Sequence, residues 1–406
     1  MRASPLSVWA FCAAAALWIP ALAVPGLPLP LQPLDLIALA GWPLLALYCR
    51  RATGMRLTAP LALTASVLAS WLVVGGQPVV LTWTLAFAVP FTALSAIALS
   101  DETARRHFLR GFLIAATASA LLFLAQISMG AQTLDFRTNV AFSLPPQYGR
   151  GFALFPEVST FATHITVAIG ATLALLLHPA TGSRLGLSCA LILFAICLLF
   201  TRSTSVIILA PLLVGAALRA TLTLHLRSLL IIMATTALIA ILLTFFITVF
   251  YVDRLENHAA DRSAAMRLAS MLGGLSPLWS GELFGVGIGE NHEVRLRAHQ
   301  IARATGLNFG SLPTGVNSQI IGRIFEEGWP AFLQMGAAAI ALFGARKTAR
   351  LSPATAALLT LGIGSLLTAL LVTGYRGIYT NWLWIAAAAA LAPQPRLRER
   401  HASCPA

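Results

Sequence analysis

GRGFALFPEVSTFATHITVAIG, residues 149–170, passes from a stretch carrying Arg150 and Glu157 into an apolar run that continues to Leu177. From Val158 to Leu177 there is no Asp, Glu, Lys or Arg. Wound as a helix at about 1.5 Å per residue, that run is about 30 Å long, the thickness of a bilayer's hydrocarbon core. The segment therefore reads as a membrane span with charged groups at its mouth.

The rest of the chain agrees with that reading. Its 406 residues are 58% hydrophobic and only 10% charged, with a mean hydropathy of +0.82. That is too little polar material to coat a soluble globule. About twelve runs are apolar and long enough to cross: 7–24, 34–49, 57–74, 79–99, 108–128, 158–177, 185–201, 203–219, 229–250, 328–344, 352–373 and 378–393. The expected fold is all-α, a polytopic helical bundle forming a single membrane domain over residues 1–406. The pair 185–201 and 203–219 is tight, with Arg202 between the two runs. A hairpin that holds Arg202 at an interface avoids the cost of about 2.5–3.5 kcal/mol for a charge at the bilayer centre.

The formal net charge of +13 looks at first like a nucleic-acid signal. Its distribution gives a different cause. With the amino terminus cytoplasmic, the inner segments carry Arg2, Arg50, Arg51, Arg56, Arg105, Arg106, Arg110, Arg184, Arg219, Arg227, Arg346, Lys347, Arg350, Arg396, Arg398 and Arg400, or 16 of the 27 basic residues. This is the positive-inside bias, which puts both termini in the cytoplasm and makes nucleic acid an unneeded partner. The start, with Arg2, an apolar core and Ala21-Leu22-Ala23, has the parts of a signal peptide but is read here as the first span. Cys12, Cys49, Cys189, Cys197 and Cys404 fall in spans or on the cytoplasmic side, so no outer disulfide and no CxxC metal pattern is expected.

Two outer segments remain, 129–157 and the larger 251–327, and loops of such length are usually functional. The larger contains DRSAAMRLASMLGGL, whose Ala264, Ala265, Leu268, Met271, Leu272 and Leu275 fall on one helical stripe. The spacing predicts an amphipathic helix along the membrane interface, with Arg262 and Arg267 on its polar face. NHEVRLRAHQIARATG, 291–306, predicts a second one. His292 and His299 there lack a placed third ligand and read as surface residues. GVGIG, 285–289, reads as a turn rather than a nucleotide loop, because the GxGxxG spacing is missing. His164 reads as a hydrogen-bonded residue of the bundle interior.

The outward-facing arginines are Arg137, Arg150, Arg202, Arg254, Arg262, Arg267, Arg295, Arg297, Arg303, Arg323 and Arg376. For any one of them solvated loop charge is the default, above all for Arg254, Arg295 and Arg297. Several together suit an anionic phosphate, because guanidinium forks bind phosphate oxygens in pairs and stay charged near lipid. Arg150, Arg202, Arg267 and Arg323 stand out, each beside a span boundary or on an amphipathic helix.

Four stretches in order, RGFALFPEVSTFA, FTRSTSVIILAP, DRSAAMRLASMLGGL with ELFGVGIG, and NSQIIGRIFEEGWPAF, carry a resemblance. Set around one large outer loop, they resemble the bacterial O-antigen polymerases, O-antigen ligases and related exopolysaccharide polymerases. The likeness spans roughly residues 149–335, while the first five spans share only hydrophobicity with that family. It implies a glycosyltransferase in the bacterial cytoplasmic membrane, active on the periplasmic face, that moves an oligosaccharide from polyprenyl diphosphate to an acceptor sugar. It implies no cofactor and no metal, and as partners the membrane lipid and a chain-length regulator or export complex. Arg202 and Arg267 would then bind the diphosphate and stabilise the charge growing on it, with Arg150, Arg262, Asn317 and Arg323 as further substrate contacts.

A general base must reach the attacking hydroxyl, and Glu157 and Glu326, at span entrances, are the candidates; for each, an interfacial ion pair or helix cap is the alternative. Ligases of the family carry a histidine eleven residues before the glycine of Glu-x-Gly, and Asn317 holds that place here. That departure favours a polymerase over a ligase. The rival from another class is a polysaccharide or lipid transporter, which calls for repeated halves or charges at mid-span. Neither is visible in the sequence.

Overall fold

The structure is a computed structural model that describes residues 4–23, 31–51, 57–138, 151–178, 184–201, 259–305, 318–344 and 352–371, with 181, 214, 215, 217, 313, 315 and 316. Among these residues it is all-helical, without strands. Its longer helices are α1 (Pro5–Ala16), α2 (Pro33–Tyr48), α3 (Thr58–Val73), α4 (Pro78–Ala98), α5 (Glu102–Met129), α6 (Val158–Leu177), α7 (Leu185–Thr201), α8 (Ala259–Leu275), α9 (Val294–Thr305), α10 (Gln319–Glu327), α11 (Ala331–Gly344) and α12 (Pro353–Leu371). Three of them, α4, α5 and α6, are long and apolar enough to cross a membrane by length and composition, and six shorter helices are apolar. Nine of the expected spans thus coincide with a helix, and 203–219, 229–250 and 378–393 lie largely or wholly outside the described residues.

Helix ends follow local chemistry. α1 stops at Ala16, shorter than its apolar run, because Pro20 has no N–H for the Ala16 carbonyl four residues back and its ring crowds that carbonyl. Inside α4, Pro90 deprives the Ala86 carbonyl in the same way. There the helix widens into a π turn over Thr84–Ala88, and Trp42 Nε1 donates to Ala86 O at 3.0 Å. The freed carbonyl is satisfied by a neighbouring helix, as apolar surroundings require.

The inside of the bundle combines alanines with aromatic side chains such as Trp18, Phe112, Phe123 and Phe161, and many large aliphatic side chains face outward. Ala10, Ala13 and Ala14 of α1, Ala116 and Ala120 of α5, and Ala168, Ala171 and Ala174 of α6 are buried, whereas Leu72 is 80% exposed and Leu185 78%. Helices in lipid gain nothing by hiding every leucine, and the buried alanines let their backbones approach. Buried Thr92, Thr166, Thr172 and Thr360 each return their hydroxyl to the carbonyl four residues back, so no polar group is stranded there.

The α1–α5 seam shows the close approach. A Cβ on Gly111 would lie 2.5 Å from the Phe11 carbonyl oxygen. Gly111→Val should therefore force the two helices apart, at about 1–3 kcal/mol, and lower the thermal transition of the purified protein in detergent, with Gly111→Ala milder. An unchanged transition in the valine variant would mean that the helices do not meet there.

Bonds between helix ends sort the bundle into two sides. Glu102 accepts from Ser352 Oγ at 2.9 Å and Arg105 donates to Thr355 Oγ1 at 2.8 Å, joining the starts of α5 and α12. On the other side Ala21 N donates to Leu154 O, tying the chain after α1 to the chain before α6. Ser318 Oγ donates to Ala369 O, which seats the start of α10 near the end of α12. The described residues between 259 and 328 belong to this second side.

Candidate functional site

The site is built where the FGVGIG turn, the end of α3 and the end of α10 meet. Ile288 N donates to Gly75 O and Gln77 N to Ile288 O, while Val286 N and Gly287 N donate to Phe325 O and Glu326 O. The turn is thereby clamped between the two helix ends. Glycine is required at the closest crossings: Gly285 has φ +77° and a Cβ there would lie 2.5 Å from Glu326 O, and Gly76, at φ +136°, would meet Ile288 O. From α3, Ser70 Oγ donates to Phe284 O and Glu326 O at 2.8 and 3.0 Å.

α10 has two working faces. Ile321 and Phe325 join Val294 and Val316 in a small apolar core on one side. Ile320 and Ile324 face the main bundle core, and the helical spacing puts Arg323 and Glu327 on that stripe. Glu327 is 0% exposed and Arg323 11%. Arg323 Nη1 donates to Glu327 Oε1 at 2.9 Å, and Gln334 Nε2 of α11 donates to Glu327 Oε2 at 2.7 Å and to Ser66 Oγ at 2.5 Å. Ser66 is midway along α3.

Glu326, on the edge between those faces, is 13% exposed and stands 3.8 Å from Arg323 Nη1. Burial pushes its carboxyl up to about 7; Arg323 and the Gly289 N–H oppose that, while Glu327 and Glu290 add to it. Burial raises Glu327 too, against Arg323 and the bonds from Ser66 and Gln334. One guanidinium thus faces two enclosed carboxylates, the kind of environment that makes a carboxyl titrate near neutrality.

Compared with protein-family models, curated proteins and solved structures, the chain matches none. The functional reading therefore rests on the site itself.

Of the expected site residues, Glu326 and Arg323 come together, joined by Glu327, Gln334 and Ser66. Arg150, Arg202 and Asn317 lie outside the described residues. Arg267 and Arg262 are on α8, as expected. The buried side of that helix differs in part from the expected stripe: Leu272 and Leu275 pack against apolar cores, but Leu268 and Met271 are exposed, and Ala269, Ser270, Gly273 and Gly274 are buried in their place. The reason is close packing, since Gly273 approaches Val294 and Gly274 approaches Ile321 so nearly that a Cβ would meet them at 3.0 and 2.6 Å. α8 consequently packs on the side of α10 opposite Arg323. Arg267 shares a stripe with Gly274 and with Ser270, whose hydroxyl donates to Gly315 O at 3.1 Å.

Glu157 is the N-cap residue of α6 and accepts from Ser159 Oγ at 3.0 Å, a helix-start arrangement. Its surroundings hold an arginine whose partners sequence did not reveal. Arg137 pairs with Asp135 at 2.7 Å, donates to Pro156 O at 3.1 Å and lies 4.0 Å over the Phe152 ring. That pairing holds the Asp135 carboxyl below its usual value. His164 packs on Trp18 and Phe155 with Nδ1 2.9 Å from Thr160 O. Arg297 pairs with Glu282, and His292 Nδ1 lies 3.4 Å from Glu290 Oε2, both ordinary loop contacts.

Gln126 of α5 holds the chain before α6. Its Oε1 accepts from Phe152 N and Ala153 N at 2.8 and 2.7 Å, and its Nε2 donates to Leu134 O and Ala153 O. Gln126→Leu strands two buried N–H groups at about 1–3 kcal/mol each. Amide exchange at Phe152 and Ala153 should speed up by about tenfold or more, since 1.4 kcal/mol is a factor of ten. Unchanged exchange would show that the amide does not hold this segment.

Proposed function

We propose that the chain is a membrane glycosyltransferase of the bacterial cytoplasmic membrane that polymerises polyprenyl-diphosphate-linked oligosaccharide repeats into O-antigen or exopolysaccharide. In this reading about twelve spans place both termini in the cytoplasm and the 251–327 segment on the periplasmic face. The observation that carries it is the enclosure of Glu326 at the head of a span, 13% exposed and 3.8 Å from Arg323, where burial pushes its carboxyl up to about 7, on a helix that packs against the one carrying Arg262 and Arg267. A base poised near the working pH is what removal of a proton from a sugar hydroxyl calls for.

The acceptor hydroxyl oxygen attacks the anomeric carbon of the donor, and its proton passes to the Glu326 carboxylate. The bond from that carbon to the lipid diphosphate breaks, and the electron pair leaves with the diphosphate. Arg267 and Arg202 bind and neutralise that leaving group, with Arg150 and Arg262 as further phosphate contacts and Asn317 beside the acceptor. Arg323, paired with two carboxylates, acts on Glu326 rather than on phosphate. Glu157 serves the start of α6.

Purified protein in vesicles, given lipid-linked repeat, should yield a ladder of products. Transfer only to lipid A core would make the chain a ligase instead. One observation favours a reading of another class, a proton-coupled transporter: Glu327 is fully buried against the middle of α3. Movement of intact lipid-linked substrate across the vesicle, with no change in its size, would decide for that reading.

A further inference from the structure

α10 sets three ionisable side chains within two turns, and they are held unequally. Arg323 Nη1 is 2.9 Å from Glu327 and 3.8 Å from Glu326. The difference has a visible cause on the other helices. Gln334 of α11 fixes the second oxygen of Glu327, and Ser66 of α3 anchors Gln334 in turn. Glu327 receives the guanidinium and the Gln334 amide, with Ser66 beside them, whereas Glu326 receives the Gly289 N–H and the more distant guanidinium.

We propose that Glu327 is a positioning residue that captures the Arg323 guanidinium and keeps that cation from pairing closely with Glu326. The proposal rests, for its catalytic meaning, on Glu326 as the base. The arrangement leaves Glu326 with a proton affinity suited to exchange at neutral pH. A direct bidentate pair with Arg323 would instead lock it as a carboxylate of poor basicity.

Few other groups could set that balance. The turn facing Glu326 contributes Glu290, which adds negative charge, and His292, which lies against Glu290. The described residues of α3, α11 and α12 contain no ionisable side chain. Among the described residues, the charges that act on Glu326 are Arg323, Glu327 and Glu290. Glu327 and Arg323 are therefore the pair that tunes Glu326, and both effects of neutralising Glu327 have one sign: a nearby negative charge is removed and the guanidinium is released toward Glu326.

The test uses the full chain in phospholipid vesicles and a hydrophobic carbodiimide, which reacts with protonated carboxyl groups in apolar surroundings. Labelling of Glu326 is read by peptide mass spectrometry between about pH 5 and pH 9, in the native chain and in Glu327→Gln. Native labelling should be half lost near pH 7, and in the variant the midpoint should fall by about 1–3 units. An unchanged or raised midpoint overturns the proposal. If Glu327→Gln does not reconstitute, Gln334→Met is read by the same measurement, and the midpoint must again move down. Labelling needs no catalysis, so the two readings fail separately. A shifted midpoint with no ladder from the native protein leaves the capture of Arg323 standing and removes the polymerase; a ladder with no shift does the reverse.

Discussion

Glu326→Gln should reduce ladder synthesis from lipid-linked repeats by about 10²- to 10⁴-fold, the usual contribution of a positioned general base. The amide keeps the size of the carboxyl and can still accept the Gly289 N–H, so folding should survive. What it loses is the capacity to take a proton from the attacking hydroxyl. Donor binding should persist, because the proposed diphosphate contacts are arginines elsewhere, and binding of lipid-linked repeat to the variant separates a lost base from a collapsed site. A variant that makes full-length ladders at the native rate would remove Glu326 from the chemistry. The same raised carboxyl carries a stability cost. Between its ordinary range and about 7, the folded chain holds a proton that the unfolded chain has already released, so stability falls as pH rises through that window. Over the same interval the base becomes available.

The largest effect on stability is expected from Arg323→Met. It leaves Glu327, 0% exposed, without its cation in a setting where an unpaired charge costs about 3–5 kcal/mol. The thermal transition of the purified protein should drop clearly. Adding Glu327→Gln should restore most of the loss, because an amide can stay buried against Gln334 and Ser66 without a counter-charge. Such recovery is the mark of a coupled pair. If the single variant melts like the native chain, or the double variant is worse than the single, the ion pair does not hold α10 to the bundle.

Much of this architecture was legible in the sequence because its signals are local. Val158–Leu177 matches its expected span residue for residue, since Glu157 and the end of the apolar run mark both limits. The helix at 259–275 and the turn at 285–289 were likewise visible, one from spacing and the other from its glycines. The buried side of that first helix was visible only in part, through Leu272 and Leu275. Leu268 and Met271 carry the hydrophobicity, yet Gly273 and Gly274 make the contact, because backbone proximity depends on what is missing from a side chain.

The site shows the same division. Glu326 and Arg323 were readable as charges at a span entrance. Glu327 was not singled out, and Gln334 and Ser66 owe their role to a contact across 268 positions of sequence, which no local pattern encodes. A usable signal did exist: Gln334 is the lone amide in AFLQMGAAAIALFG, and a polar group in such a run needs a partner. The contacts of Arg137 with Pro156 and Phe152, and of Gln126 with Phe152 and Ala153, escaped for the same reason, since they reach the far end of the 129–157 segment.

The most direct test is the pH dependence of ladder synthesis by the native protein at saturating lipid-linked repeat, from about pH 5 to pH 9. With Glu326 as the base, the rate should climb through a midpoint near 7, where burial has placed its carboxyl, and level off above it. A rate that is flat across that range, or that falls as the pH rises, would contradict the assignment.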